Sequence, residues 1–169
     1  MKFSTLFVSF GLLVAGHSYA ASITPFQLPW VNGGTDSVYK MADHPTGIFV
    51  LEAFQNFCEY CNANAPKVDA VYNTYKTQDR VQIIDLDLDT DQSEIQAWID
   101  KYHPAYPLLS DDGTVFNQFG GDSGIPQTVV LDCKGNILVH TEGEWDDDAQ
   151  KQITDAIDQQ LATTCSVTK

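Results

Sequence analysis

Basic side chains are scarce in this sequence. Its 169 residues contain nine Lys and Arg against 23 Asp and Glu, which gives a formal net charge of −14 at pH 7. A surface of this sign repels nucleic acid and anionic lipid, so we expect neither as a partner. The acidic excess favours solubility, and we prefer that explanation to a basic substrate.

A long apolar run is missing at the N-terminus. The run from Leu6 to Ala15 has about ten residues, whereas a membrane-spanning helix needs about 20. It lies between Lys2 and the small-x-small sequence Ser18-Tyr19-Ala20, which is the order of a secretory signal peptide. We therefore predict that residues 1–20 are cleaved and that residues 21–169 form one domain. This mature domain is expected to be periplasmic or secreted, without insertion into the membrane; a retained anchor is the alternative.

Cysteine is also sparse, with four in the chain. In an exported protein an even number of cysteines usually means disulfides. Cys58 and Cys61 follow the apolar run from Ile48 to Phe54, so they stand where a strand passes into a helix. The two sulfurs of a Cys-x-x-Cys lie one helical turn apart, and a helix N-terminus stabilises the thiolate of the first. The pattern predicts a redox pair in which Cys58 attacks and Cys61 resolves.

Other uses of these cysteines fit the sequence less well. A zinc site needs further ligands, and Cys133 and Cys165 do not form a second Cys-x-x-Cys. Haem attachment needs His directly after the second cysteine, where this chain has Asn62. The residues before Cys58 lack the Pro-x-x-x-Thr-x-x-Cys setting of a peroxidase. A purely structural disulfide stays open as an alternative.

Alternating acids after residue 84 invite comparison with a calcium loop. They are Asp85, Asp87, Asp89 and Asp91. In the EF-hand pattern the sixth position is Gly and the twelfth is Glu, whereas this chain has Thr90 and Gln96. We interpret the acids as a strand end and a helix cap. The histidines show no ligand spacing either, and we predict no metal site.

Strand and helix patterns alternate along the chain. Apolar runs predict strands, and apolar residues at helical spacing predict helices. Such alternation favours an α/β fold whose sheet has parallel neighbours and helices on its faces. The predicted elements are strand 48–54, helix 58–76 with a kink at Pro66, strand 81–88, a helix from Asp91 that carries Trp98, strand 106–109, a short helix around 115–119, hairpin strands 128–131 and 137–140, and helix 146–161.

With these elements in place, the sequence resembles the thioredoxin superfamily, and within it the exported TlpA-like thiol:disulfide oxidoreductases of the peroxiredoxin-like branch. The resemblance is carried by Phe26-Gln27-Leu28-Pro29, by the Cys-x-x-Cys, by Pro66 and by Gly124-Ile125-Pro126. It implies a thioredoxin-like fold in which helices flank a central mixed sheet, with an N-terminal hairpin and a central strand-helix insertion. Phe57 departs from the family, which commonly has Trp there, and neither residue between the cysteines is Pro.

The resemblance also implies roles for residues around the cysteines. Glu52 interrupts the apolar strand six residues before Cys58. A buried carboxyl there would have a raised pKa and could take the proton of Cys61; an edge-exposed glutamate is the alternative. Pro126 is expected in the cis form, which lets the Ile125 backbone pair with an extended substrate. Substrate contacts are further expected from Phe57, Glu59 and Tyr60.

The remaining cysteines are assigned through the expected topology. In a thioredoxin-like fold the last hairpin turn lies at the end of the sheet away from the redox pair, and the final helix runs back to that end. We therefore predict a structural disulfide between Cys133 and Cys165. Two free thiols, or a second redox pair, are the alternatives.

These expectations give a hypothesis for function. We expect exchange of disulfides with cysteine-containing substrate proteins, with the disulfide of Cys58 and Cys61 as the only redox group and no bound cofactor. Glu59 beside Cys58 should oppose thiolate formation, which favours a reductase supplied by a membrane thiol electron donor. A DsbA-like oxidant is one alternative. A binding or chaperone module without redox turnover is another.

Overall fold

The computed structural model describes residues 21–33, 37–121 and 123–165. The predicted signal peptide, residues 1–20, lies outside these ranges. The elements in chain order are β1 (Gln27–Pro29), β2 (Val38–Lys40), β3 (Ile48–Phe54), α1 (Glu59–Tyr75), β4 (Val81–Asp87), α2 (Gln92–Tyr102), β5 (Leu108–Ser110), β6 (Gln127–Leu131), β7 (Ile137–Glu142) and α3 (Asp147–Leu161). Single 3-10 turns cover Met41–Asp43 and Phe116–Gln118.

A five-stranded mixed sheet in the order β5-β4-β3-β6-β7 forms the centre of the protein. Strand β3 is parallel to β4 and antiparallel to β6, while β4 and β5 are parallel. Every residue of β3 is buried, as expected for a continuous apolar run covered on both faces. The first two strands pair separately as an antiparallel hairpin. The predicted α/β architecture, including the N-terminal hairpin, is confirmed.

The two faces of the sheet are covered by different parts of the chain. Because successive side chains of a strand point to opposite faces, Phe49, Leu51 and Ala53 share a core with the N-terminal hairpin. Ile48 and Val50 face the other side and pack with apolar residues of α1 and α3. Glu52 therefore lies on the same face as these helices.

Acidic residues cap two of the helices. The carboxylate of Asp91 accepts from the backbone N–H of Ser93 at the start of α2, and that of Asp146 accepts from Ala149 at the start of α3. Such caps satisfy N–H groups that have no partner within the helix. The predicted acidic helix start at Asp91 is confirmed.

Two short elements differ from the sequence prediction. The strand expected at 106–109 begins two residues later, as Leu108–Ser110, and the helix expected around 115–119 is a single 3-10 turn. Within the described ranges, every helix is too short or too polar to cross a membrane.

Candidate active site

Cys58 and Cys61 lie at the junction of β3 and α1 and form a disulfide with a Cα–Cα distance of 5.2 Å. Cys58 is the N-cap of α1, where its Sγ accepts the backbone N–H of Cys61 at 3.2 Å. This contact and the helix N-terminus both favour a negative sulfur at position 58. Cys58 is 9% exposed and Cys61 is completely buried. The order of access agrees with an attacking and a resolving cysteine.

The surface around Cys58 is aromatic. Phe57 is 77% exposed and Tyr60 is 56% exposed, and Glu59 between the cysteines is also exposed. From the segment before β6, the carbonyl oxygen of Ile125 lies 3.6 Å from Cys58 Sγ. The Ile125–Pro126 peptide bond is cis, the isomer that the resemblance implied. The residues expected to contact substrate therefore surround Cys58.

Behind the cysteines lies an apolar wall. Cys58 and Cys61 belong to a buried apolar cluster with Phe54, Ala65, Trp98 and Leu108. The rings of Phe54 and Trp98 have centroids 4.1 Å apart, so strand β3 and helix α2 meet directly behind the disulfide. The buried side of the disulfide is therefore apolar.

Asn62, the residue directly after the Cys-x-x-Cys, fixes the loop that carries Cys58. Its side-chain amide donates to the carbonyl oxygens of Asn56 and Cys58, both at 2.8 Å. Its side-chain oxygen accepts from the hydroxyl of Tyr102 and from Lys101 Nζ, both at 2.6 Å. Asn62 thereby joins the loop to α1 and α2. Sequence reasoning noted this residue only as the absence of a haem-binding His.

The hydroxyl of Tyr102 also compensates for the proline of α1. Pro66 has no N–H to donate to the carbonyl of Asn62 four residues earlier. The Tyr102 hydroxyl lies 3.2 Å from that carbonyl oxygen. Helix α2 therefore supplies the hydrogen-bond donor for the Asn62 carbonyl that Pro66 of α1 cannot supply.

Glu52 is buried beneath α1, with 3% of its surface exposed. The structure thus rules out an edge-exposed glutamate. One carboxylate oxygen accepts from the hydroxyl of Thr128 at 3.0 Å. Burial raises the pKa of Glu52 well above its ordinary value, and the nearby Asp85 raises it further. A carboxyl in this environment holds its proton more tightly than an exposed glutamate does.

The interpretation of the alternating acids as a strand end and a helix cap is wrong for Asp85. Asp85 is not at a strand end: it lies inside β4, directly beside Glu52 in the parallel ladder, and is 2% exposed. Burial raises its pKa, against the opposing effect of a 3.2 Å hydrogen bond from the Tyr106 hydroxyl. Asp87 does end the strand but is fully buried as well. Asp89 follows in the loop and accepts the backbone N–H of Asn56 at 2.7 Å.

A network of buried hydrogen bonds lies next to Glu52, and the sequence does not predict it. Trp145 donates from Nε1 to Thr128 Oγ1 at 2.8 Å, and its backbone N–H donates to Asn64 Oδ1, also at 2.8 Å. All three residues are buried. The position of Asn64, one turn after Cys61 on the inward face of α1, was the available signal. No local pattern marks Trp145.

The second disulfide joins Cys133 to Cys165, as the topology argument expected. Their Cα atoms are 6.3 Å apart, within the usual range for a disulfide. Cys133 lies in the turn between β6 and β7, and Leu131 pairs with Phe49 near the start of β3. Since the redox pair follows the other end of β3, the two disulfides lie at opposite ends of the sheet.

Comparison with known proteins agrees with this geometry. The model of the AhpC/TSA family matches residues 20–140, well over half of the chain. The chain belongs to the AhpC/TSA family. Among curated proteins it is similar to the thiol-disulfide oxidoreductase ResA of Halalkalibacterium halodurans, with 29% identity over 98 residues, covering 57% of this chain and 54% of that protein. The chain thus matches about half the length of this relative.

Solved structures show the same fold. A thiol:disulfide interchange protein of the thioredoxin family from Chlorobium tepidum superposes with a TM-score of 0.69 at 16% identity, covering 82% of this chain and 97% of that one. A secreted disulfide oxidoreductase of Mycobacterium tuberculosis, homologous to DsbE of E. coli, gives a TM-score of 0.64 at 18% identity, covering 77% and 95%. The predicted thioredoxin-like fold is confirmed.

Proposed function

We propose that this protein is an exported thiol:disulfide oxidoreductase that acts on cysteine-containing proteins, mainly as a reductase. The observation that carries the proposal is the Cys58–Cys61 disulfide at the N-terminus of α1, with Cys58 facing the Ile125 carbonyl. Similarity to the oxidoreductase ResA supports the same reaction class. The signal sequence in residues 1–20 and the secreted relative from Mycobacterium tuberculosis support export to the periplasm or the exterior.

The reaction begins with the reduced pair. The Cys58 thiolate attacks one sulfur of a substrate disulfide, which forms a mixed disulfide and releases the other substrate sulfur as a thiolate. Cys61 then loses its proton to the Glu52 carboxylate, and its thiolate attacks Cys58 Sγ. The Cys58–Cys61 bond forms as the bond to substrate breaks, and the released thiolates take protons from solvent. Two electrons have passed from the dithiol to the substrate.

The surrounding residues hold the substrate during this exchange. The exposed rings of Phe57 and Tyr60 offer apolar contact beside Cys58. The backbone of Ile125, before Pro126, offers hydrogen-bonding groups to an extended chain, in the manner of an added strand. Thiol exchange in this scheme needs no bound cofactor, since the cysteine pair itself carries the electrons.

The reductase direction rests on Glu59. This exposed acid lies next to Cys58, so its charge opposes the thiolate that forms on reduction. A couple whose reduced form is less stabilised has a lower reduction potential. Repeated turnover as a reductase then requires a thiol donor, for which a membrane protein is the natural partner of an exported enzyme. Equilibration with glutathione measures the potential, and a strongly oxidising value would instead indicate a DsbA-like oxidant.

Single cysteine variants test the activity itself. We expect Cys58→Ala to abolish reduction of insulin and of glutathione disulfide, because no other thiol reaches the surface at this site. Cys61→Ala should instead accumulate a mixed disulfide at Cys58, visible by mass spectrometry as the mass of one substrate thiol. Unchanged turnover by Cys58→Ala would contradict the proposal. A wild-type protein that does not exchange with glutathione would indicate a binding module.

A further inference from the structure

A second buried carboxyl lies beside Glu52. Glu52 and Asp85 are direct partners in the parallel ladder of β3 and β4, so their side chains point to the same face of the sheet. They are 3% and 2% exposed. The reaction scheme uses Glu52 as the acceptor of the Cys61 proton but gives Asp85 no task. Two acids side by side in a buried layer are costly to the fold and need an explanation.

The hydrogen bonds of this pair are incomplete. Asp85 Oδ2 accepts from the Tyr106 hydroxyl at 3.2 Å, while Asp85 Oδ1 has no partner among the described residues. Glu52 Oε2 accepts from Thr128. The Asn64 side chain adds a second hydrogen-bond donor to Glu52, whereas Asp85 has the Tyr106 hydroxyl alone. The pair together thus has fewer donors than two stabilised carboxylates usually accept, which is two or three each.

Nearby cations do not neutralise both acids. Lys67 of α1 is the cation that faces Glu52, but its side chain is 28% exposed and is already engaged by Glu144 at 2.9 Å and by the carbonyl of Trp145. The other titratable groups that act on the pair are Asp87 of β4 and Tyr106 before β5. One is an acid and the other is a phenol. Like charges at this spacing disfavour double ionisation, so the two carboxyls titrate as one coupled pair.

We infer that Asp85 is a positioning residue for the redox reaction: its charge sets the pH at which the neighbouring Glu52 carboxylate can accept the proton of Cys61. This inference rests on the proposed function. When Asp85 is negative, ionisation of Glu52 requires higher pH. When Asp85 is neutral, Glu52 ionises at lower pH, so its carboxylate can deprotonate Cys61 at lower pH. A proton on Asp85 thus favours resolution of the mixed disulfide.

The test measures resolution as a function of pH in Asp85→Asn, which keeps the size of the side chain and an oxygen for the Tyr106 hydroxyl. The mixed disulfide is prepared at Cys58 with a chromophoric aromatic thiol, and release of that thiol by Cys61 is followed by stopped flow from pH 5 to 9. We expect the midpoint of the pH profile to fall by about one to two units, because a charge about 5 Å away is removed. Asp69→Asn removes an exposed acid of α1 and should leave the midpoint in place.

The same measurement in the Glu52→Gln variant separates this role from a structural one. In Glu52→Gln the proton acceptor is gone, so resolution should be slow and adding Asp85→Asn should not move any midpoint. A midpoint in Asp85→Asn equal to that of the wild type would overturn the inference while leaving the oxidoreductase function intact. Absence of thiol release in the wild-type protein would instead overturn the function.

A spectroscopic measurement covers the case in which Asp85→Asn does not fold. Infrared titration of the oxidised wild-type protein should show carboxyl groups in the buried pair that stay protonated above pH 6, with loss in two separate steps. In Glu52→Gln the remaining carboxyl should ionise at lower pH, because coupling between the two sites is reciprocal. A single step at an ordinary carboxyl pKa would contradict the inference.

Discussion

Asp87 is a buried acid whose pKa differs between the folded and the unfolded protein. Burial raises its pKa from 3.8 to about 7, although one oxygen accepts the backbone N–H of Asp89 at 2.8 Å. The second oxygen has no partner among the described residues. The native state therefore binds a proton on Asp87 more tightly than the unfolded chain does.

This difference predicts a pH dependence of stability. The contribution of Asp87 is fully present below its unfolded pKa near 3.8 and is lost as the pH rises through about 7. Asp87→Asn has no proton to lose there, so it should gain about 3 kcal/mol relative to the wild type between pH 4.5 and 7.5. Urea unfolding at the two pH values measures the difference.

A matched variant controls for the change in net charge. Asp79→Asn removes one negative charge from an exposed position, and its stability relative to the wild type should be nearly the same at both pH values. If the free energy of unfolding changed equally in Asp87→Asn and in the wild type between pH 4.5 and 7.5, Asp87 would be ionised in the native protein at both pH values. That result would contradict the prediction.

Helix α1 depends on its neighbour α2 at the position of Pro66. The Tyr102 hydroxyl contacts both the carbonyl and the side-chain oxygen of Asn62, and Asn62 in turn holds the loop before Cys58. We expect Tyr102→Phe to reduce the free energy of unfolding by about 1 to 2 kcal/mol, because a half-buried carbonyl loses its donor. Urea denaturation measures this, and Tyr60→Phe, which removes a hydroxyl from an exposed ring, should cost much less.

A double-mutant cycle identifies the cause. In Pro66→Ala the helix regains an N–H that can donate to the Asn62 carbonyl, so Tyr102→Phe should cost less in that background than in the wild type. Equal costs in both backgrounds would show that the tyrosine contributes through ring packing alone. The comparison needs no assumption about the effect of Pro66→Ala by itself.

Elements whose pattern is local were predictable, and contacts set by strand register were not. The apolar run of β3 and the helical spacing of α1 gave both elements to within a residue or two. The burial of Asp85 follows from the pairing of β4 with β3, which places it beside Glu52. The sequence Asp85-Leu86-Asp87 alternates acidic and apolar residues, and this local pattern does not show that both faces of the strand are buried. Trp145 reaches Thr128 only through the packing of distant segments.

At the scale of the whole molecule the two disulfides join different parts of the fold. The redox pair closes a ring between neighbouring turns of one helix, whereas Cys133 and Cys165 are 32 residues apart and join the last hairpin to the end of the chain. Arg80 supports the same region, since its guanidinium donates to the carbonyls of Gln160 and Thr163. The C-terminal end is thus held by a covalent bond and by hydrogen bonds that cap α3.

Removal of the second disulfide should affect stability and leave exchange intact. We expect Cys133→Ser combined with Cys165→Ser to lower the free energy of unfolding by about 3 to 4 kcal/mol, from the closure entropy of a loop of this length. Urea unfolding checks this value, and thiol exchange at Cys58 should change less than twofold. Cys58→Ser with Cys61→Ser is the matched control, since its much shorter loop predicts a smaller loss. Slowed exchange in the first variant would indicate that the second disulfide takes part in the reaction.

The covalent loop from Cys133 to Cys165 also changes what a protease can do to this protein. Strand β7, Trp145 and helix α3 all lie within that loop. A single cut between the two cysteines therefore releases no fragment, since each piece stays bonded to the other through the disulfide. Under the proposed export to a compartment with peptidases, a nick in this loop would leave Trp145 and α3 covalently attached to the domain.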